Sequence, residues 1–175
     1  MNRTITIQHY ESPCGKLLLG SCDDKLCLCN WQGKRHRQIV DERIRNGLQA
    51  SFEEGVSDVT ANAAVQLDEY FGGKRTVFDM PLLFVGTDFQ QSVWQLLPEI
   101  PYGQTLSYAA LSLRLGRPEA VRAVANANGA NALSIFVPCH RVIGSNDRLT
   151  GYGGGLAAKM FLIKLEYLVT QMDSL

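Results

Sequence analysis

The stretch Ala132-Leu133-Ser134-Ile135-Phe136-Val137-Pro138-Cys139-His140-Arg141-Val142-Ile143-Gly144 constrains this chain more than any other. Its short apolar run lies between an Asn-Gly-Ala-Asn segment and Gly144-Ser145-Asn146-Asp147. That is the pattern of a buried, strand-like segment ending in a fixed turn. Pro138 locks its own φ and biases Val137 toward an extended shape, so Cys139 is delivered at a rigid corner. A nucleophile needs such preorganised geometry. A plainer role also fits, because a cysteine beside isoleucine, phenylalanine and valine commonly packs as a small core hydrophobe. His140 and Arg141 favour chemistry, since nearby positive charge stabilises a thiolate. Adjacent residues seldom face each other, so His140 is expected to reach the sulfur through a water or a turn.

The 175 residues, 46% hydrophobic and 19% charged, suit one compact unit or a small domain followed by a larger one. Basic and acidic residues balance at 17 each, which excludes a strongly basic DNA-coating protein. Nucleic-acid binding would rest on a local patch. From Pro101 to Arg148, Arg114, Arg117, Arg122, Arg141 and Arg148 outnumber Glu119 and Asp147, a modest surplus that implies salt-sensitive affinity. Cys14, Cys22, Cys27, Cys29 and Cys139 make an odd count, and the start alternates polar and apolar residues without a long hydrophobic core. No apolar run approaches the ~20 residues of a membrane span. A soluble, cytoplasmic protein with reduced thiols and no membrane contact is expected.

The fold class is expected to be α+β, with a small N-terminal antiparallel sheet and helices followed by a mainly helical domain. Thr4 to Tyr10, Lys16 to Ser21 and Lys25 to Trp31 read as three antiparallel strands, with turns at Ser12-Pro13-Cys14-Gly15 and Asp23-Asp24. Cys27 and Cys29 share one strand face, for core packing or for a metal. Lys34 to Asn46 reads as a surface helix stopped by Gly47, and Thr60 to Phe71 as a helix packed through Ala64, Leu67, Tyr70 and Phe71. Thr76 to Met80 is a candidate further strand. These divisions place an N-terminal domain at 1–80, a connection at 81–88 and a C-terminal domain at 89–175.

From Phe89 the pattern turns helical, with a stripe at Val93, Trp94, Leu96 and Leu97 and a turn at Pro101-Tyr102-Gly103. Ser107 is a fitting N-cap for a helix from Tyr108 to Leu115, which Gly116-Arg117-Pro118 breaks. Pro118 suits the first position of a second helix, Glu119 to Asn128, stopped by Gly129. Helix, Gly-containing turn, helix is a helix-turn-helix pattern, which serves DNA binding or mere packing. On the second helix Val121, Val124, Ala125 and Asn128 cluster as the expected core face. Ala120, Ala123 and Ala127 surround Arg122 and Asn126 on the other side, a face that allows close approach to DNA or to a neighbouring helix. Thr150-Gly151-Tyr152-Gly153-Gly154-Gly155 lacks the lysine spacing of a phosphate loop and fits close backbone approach to a flat ligand. Lys159 to Met172 closes the chain as a helix striped by Phe161, Ile163, Leu165, Leu168 and Val169. Glu166 lies within it, on the solvent side or buried against a histidine.

The string Pro138-Cys139-His140-Arg141-Val142 resembles the active-site motif of the methylated-DNA–protein-cysteine methyltransferases, suicidal repair proteins for 6-O-alkylguanine. The similarity covers most of the chain and is dense from Phe89 to Glu166. It implies that Cys139 accepts the alkyl group, His140 takes its proton through a water, and Glu166 orients that histidine. It further implies that Asn131 ties the recognition helix to the active-site turn and that Tyr108 contacts the lesion. Arg122 would fill the gap left by a flipped nucleotide. The backbones of Cys139 and Val142 would accept from the guanine 2-amino group, and Tyr152 with Gly153 would lie beside the alkylated oxygen. A recognition helix in the minor groove would set Ala123 and Ala127 against the DNA. The resemblance implies a monomer acting on double-stranded DNA that contains alkylated guanine, with the 4-oxygen of thymine as a second lesion, and no cofactor. Some relatives hold zinc at positions matching Cys22 and Cys27. Here His9 and His36 do not match a second ligand pair, and no metal is expected. Ala132, Gly153 and Ala125 depart from a frequent proline, serine and glycine, which touches pocket width and turn rigidity. A cysteine hydrolase, a transcription factor and a lesion sensor are the rival readings.

Overall fold

The computed structural model describes residues 3–33, 35–145 and 151–173, so Asp147 and Arg148 of the basic surplus lie outside the described residues. The chain divides into two compact units, residues 1–86 and 87–175.

The first unit is a four-stranded sheet with two helices. Strands β1 (Arg3–Ser12), β2 (Gly15–Cys22) and β3 (Lys25–Trp31) form the expected antiparallel meander. Asp23 and Asp24, at φ 50° and 61°, make the two-residue turn whose twist matches the flanking strands. Every residue from Leu17 to Cys22 and from Leu26 to Trp31 is buried, Cys27 and Cys29 among them as core packing. The sheet is not wholly antiparallel. A fourth strand, β4 (Ala50–Glu54), pairs parallel to β1 and gives the order β3-β2-β1-β4. Its polar, Glu-bearing sequence hides it, because an exposed edge strand needs no apolar alternation.

Helix α1 (Arg35–Leu48) runs through Gly47 instead of stopping there. A Cβ at Gly47 would lie 2.4 Å from Val85, so this glycine serves close packing and not termination. Helix α2 (Asp58–Phe71) opens with a reciprocal Ser57–Thr60 capping box and buries Ala63, Leu67 and Tyr70. Residues 76–80 are not a strand. The Gln66 amide accepts from the Asp79 N–H (3.0 Å) and donates to the Asp79 carbonyl (2.7 Å), taking over the ladder bonds a strand partner would make. Beyond it, Leu26 donates to the carbonyl of Pro81, and Leu83 to that of Leu26, so residues 81–83 border β3.

The second unit holds α3 (Asp88–Leu96), β5 (Leu106–Ser107), α4 (Tyr108–Arg114), α5 (Val121–Gly129), β6 (Val142–Ile143) and α6 (Leu156–Asp173). Thr87 and Gln90 cap α3 reciprocally, and Val93 and Trp94 face inward. Ser107 caps α4 as expected, accepting from Ala110 N. Helix α5 starts later than Pro118 suggests. The segment from Arg117 to Ala120 closes as a turn first, and Gly129 remains helical.

Candidate active site

Cys139 opens a single 3-10 turn, Cys139–Arg141, that leads into β6. The approach to it is buried but not a strand. Ser134 and Val137 bridge each other, Phe136 N donates to Ser134 O (2.9 Å), and Ile135 sits at φ 74°. A β-branched residue in that region is strained, and the surrounding bonds hold it there. Asn131 is one such holder. Its amide donates to Val137 O (2.9 Å) while its Oδ1 accepts from Leu133 N (3.0 Å).

Asn128, read from sequence only as a core-face residue, reaches the reacting residue itself. Its Nδ2 donates to the carbonyl of Cys139 at 3.2 Å, linking α5 directly to the active-site turn. The Cys139 carbonyl also accepts from the Val142 N–H. Both of its lone pairs are therefore engaged, which weakens the expectation that it accepts from a guanine amino group.

His140 and Glu166 are shut away from solvent, at 0% and 1% exposure. Nε2 of His140 lies 2.6 Å from Oε2 of Glu166. Beside a carboxylate Nε2 carries the proton, which leaves Nδ1 as the basic nitrogen. Nδ1 is buried and makes no hydrogen bond within the protein. Burial pulls the His140 pKa down against the raising effect of Glu166, so the resting imidazole is neutral.

Glu166 is thus the buried acid and not a solvated helix residue. Arg141 donates to it through Nε (2.8 Å) and Nη2 (3.2 Å), and the Gly103 N–H adds a weaker contact at 3.4 Å. Burial alone would raise its pKa, but pairing with His140 and Arg141 outweighs this and holds the carboxyl at about 2. Gly103 is required in that position. Its φ is 83°, and a Cβ would fall 2.3 Å from the hydroxyl of Thr170. Arg141 does not serve the sulfur as its sequence position suggested. Its remaining nitrogen donates to Ile100 O (2.8 Å), and the guanidinium lies 5.6 Å from the ring centre of Tyr102.

Cys139 is 5% exposed, and burial pushes the pKa of its thiol up. Asn131, Lys159 and Ser134 oppose that rise without cancelling it. A resting thiolate is therefore not expected in the free protein. Lys159, treated in the sequence as an ordinary helix residue, is fully buried on α6. Its ammonium lies 5.8 Å from the ring centre of Tyr108, the first residue of α4. No spacing rule marks it, since a lysine one turn into an amphipathic helix is usually solvated.

Helix α6 turns Ala158, Lys159, Leu162, Glu166 and Val169 inward, while Phe161 and Leu168 of the expected stripe are exposed. The polar site, not the apolar count, decides its facing. On α5, Arg122 and Ala123 are exposed. Ala127 is 3% exposed, and its carbonyl accepts from the Trp94 indole (2.8 Å), so it belongs to the core and not to a DNA-facing surface. Val142 is buried in β6, opposite Leu106. Tyr152 and Gly153 are half-buried in the segment after Gly151, whose carbonyl accepts from Lys159 at 3.5 Å. Among the described residues no three of His, Cys, Asp and Glu gather as a metal site. Among the described residues, no helix is long and apolar enough to cross a membrane.

Comparison with known proteins matches two family models. Residues 5–84 fit the ribonuclease-like domain of 6-O-methylguanine DNA methyltransferase, and residues 88–168 fit its DNA binding domain. The constitutive methylated-DNA–protein-cysteine methyltransferase of Bacillus subtilis is 55% identical, over 89% of this chain and 92% of its own. The Methanosarcina acetivorans methyltransferase is 44% identical, over 90% and 95%. A crystal structure of Mycobacterium tuberculosis OGT in complex with DNA superposes with a TM-score of 0.79 at 38% identity, covering 95% of this chain and 94% of that one. With both of its units matched and relatives aligned over nearly their full length, this chain belongs to the methylated-DNA–protein-cysteine methyltransferase family.

Proposed function

We propose that this chain repairs duplex DNA by moving an alkyl group from the 6-oxygen of guanine onto the sulfur of Cys139, once per molecule. The observation that carries this reading is the buried His140–Glu166 pair, whose unused nitrogen belongs to the residue next to the cysteine. The names of the relatives and the DNA-bound neighbour support it.

In this reading exposed Arg122 enters the duplex as the damaged nucleotide leaves the stack, a step that costs a few kcal/mol. The Cys139 proton passes through a water to Nδ1 of His140, while Glu166 steadies the imidazolium that forms. The sulfur attacks the alkyl carbon in line, the carbon–oxygen bond breaks, and the guanine leaves with the bonding pair. Tyr108 gives that base a proton. A thioether has no route back, so turnover stops at one. The 4-oxygen of thymine presents the same alkyl carbon and is proposed as the lesser substrate. The protein is proposed to act as a cytoplasmic monomer.

Incubation with a short duplex containing 6-O-methylguanine, followed by intact-mass and peptide analysis, tests this. The expected result is a plateau at one methyl per protein, on the Cys139 peptide. Continued turnover, or methyl on Cys14, Cys22, Cys27 or Cys29, would overturn it.

A further inference from the structure

One turn along α5 from Arg122, the exposed side of the helix carries a second polar side chain. Arg122, Ala123, Asn126 and Gly129 face outward, while Val124, Ala127 and Asn128 face the core. Residues four apart share a helix face, so Asn126 stands about 6 Å from Arg122 along the axis. Asparagine forms helix less readily than the alanines around it, so the fold itself does not favour it here. Among the described residues its amide has no hydrogen-bond partner. Only its backbone carbonyl is used, accepting from Ala130 N at 3.1 Å.

The repair reading sets this face against DNA, with Arg122 entering the stack. Side chains that wedge between base steps commonly do so from the minor groove. That groove is only about 6 Å wide and admits a helix face without bulk. Ala123 and Gly129 supply such a face, which leaves Asn126 as the next side chain able to touch base edges. A carboxamide holds a donor and an acceptor side by side. In the minor groove only guanine answers both, with its 2-amino group beside N3, whereas A·T pairs present acceptors alone.

Resting on that reading, we propose that Asn126 is a specificity-determining residue that reads the minor-groove edge of a base pair near the lesion and favours guanine there. Its amide oxygen accepts from the guanine 2-amino group, and its amide nitrogen donates to N3. The helical rise from Arg122 to Asn126 spans about two base-pair steps of about 3.4 Å, which sets how far from the vacated position the pair lies. Repair by this chain therefore depends on the sequence around the damaged base.

The test measures single-turnover transfer, below saturation, from duplexes that hold 6-O-methylguanine and one altered neighbouring pair. That pair stands one, two or three steps away on either side, as guanine, inosine or 7-deazaguanine opposite cytosine. Inosine lacks only the 2-amino group in the minor groove, and 7-deazaguanine lacks only N7 in the major groove. Wild type should favour guanine over inosine about fivefold or more at one position, the lower end of what a bidentate base contact is worth. It should not respond to 7-deazaguanine. Asn126→Ala should lose the preference at an equal or higher Tm. Both proteins meet the same duplexes, so a preference kept by Asn126→Ala comes from the DNA itself and overturns the proposal. A wild type blind to inosine, a preference read through N7, or a large fall in the Tm of Asn126→Ala overturns it equally. Wild type that transfers no methyl from any duplex overturns the repair reading instead.

Discussion

Oε2 of Glu166 lies 2.6 Å from Nε2 of His140, while Oε1 of the same carboxylate accepts from Nε of Arg141 at 2.8 Å. One buried acid therefore orients the base and neutralises the neighbouring guanidinium. Removing it does two things at once. Glu166→Gln keeps the shape but leaves Arg141 with an unmatched buried charge, which costs about 3 kcal/mol. Transfer should slow by about a hundredfold or more, in the range of lost acid–base assistance. Urea unfolding and single-turnover repair check the two effects separately. Wild-type behaviour in both would show that the carboxylate serves neither.

Stability should fall toward acid. Glu166 titrates at about 2 in the folded protein, below its ordinary 4.5, so its stabilisation is complete above about pH 4.5 and is lost as pH falls through 2. His140 is pushed below its ordinary 6.5, so below that value the unfolded chain takes up the proton first and folding is disfavoured. Both losses run in the same direction. Urea midpoints measured between about pH 7 and about pH 3 should drop steadily, and more shallowly below pH 4.5 in Glu166→Gln. A flat profile would contradict the pairing.

The two alanines of α5 should respond differently to added bulk. Ala127→Leu overfills the core beside Trp94 and should cost about 1–3 kcal/mol. Ala123→Leu, on the exposed face, should leave stability within about 0.5 kcal/mol and weaken duplex binding. Arg122→Ala should likewise spare the fold, and should slow repair in duplex DNA far more than reaction with free 6-O-methylguanine. Thermal melts and binding titrations settle all three. Equal loss on both substrates for Arg122→Ala would point to a chemical role instead.

Methylation of Cys139 should destabilise the protein. Cys139 is 5% exposed, and Asn131 and Ser134 favour its thiolate, so a methyl group enters packed space and disturbs a buried polar environment. Each effect is worth about 1–3 kcal/mol. Asn128 carries the strain straight into α5, because it holds the carbonyl of the alkylated residue. The reacted protein should melt lower and release repaired DNA. An equal or higher midpoint would mean that the pocket has room for the methyl.

The local signals in this chain were those with short-range causes. Hairpin turns, the Ser107 cap, the helix-turn-helix spacing and the rigid corner at Pro138 follow from φ preferences and side-chain-to-backbone bonds within a few residues. The family motif named Cys139, His140 and Glu166 from residue identity alone. What the sequence left open depended on distant partners. Strand β4 is polar and exists because β1 offers it a parallel edge. Gly47 stays helical because Val85 packs where a side chain would be. Ala127 was assigned to the outer face by helical period, yet the Trp94 indole claims its carbonyl across 33 residues. The apolar stripe of α6 yields to Lys159 and Glu166, because a buried ion pair and a reactive sulfur fix the facing of that helix more strongly than Phe161 or Leu168 can. Periodicity reports which residues prefer to be dry, whereas only tertiary contact decides which charges are matched well enough to be buried.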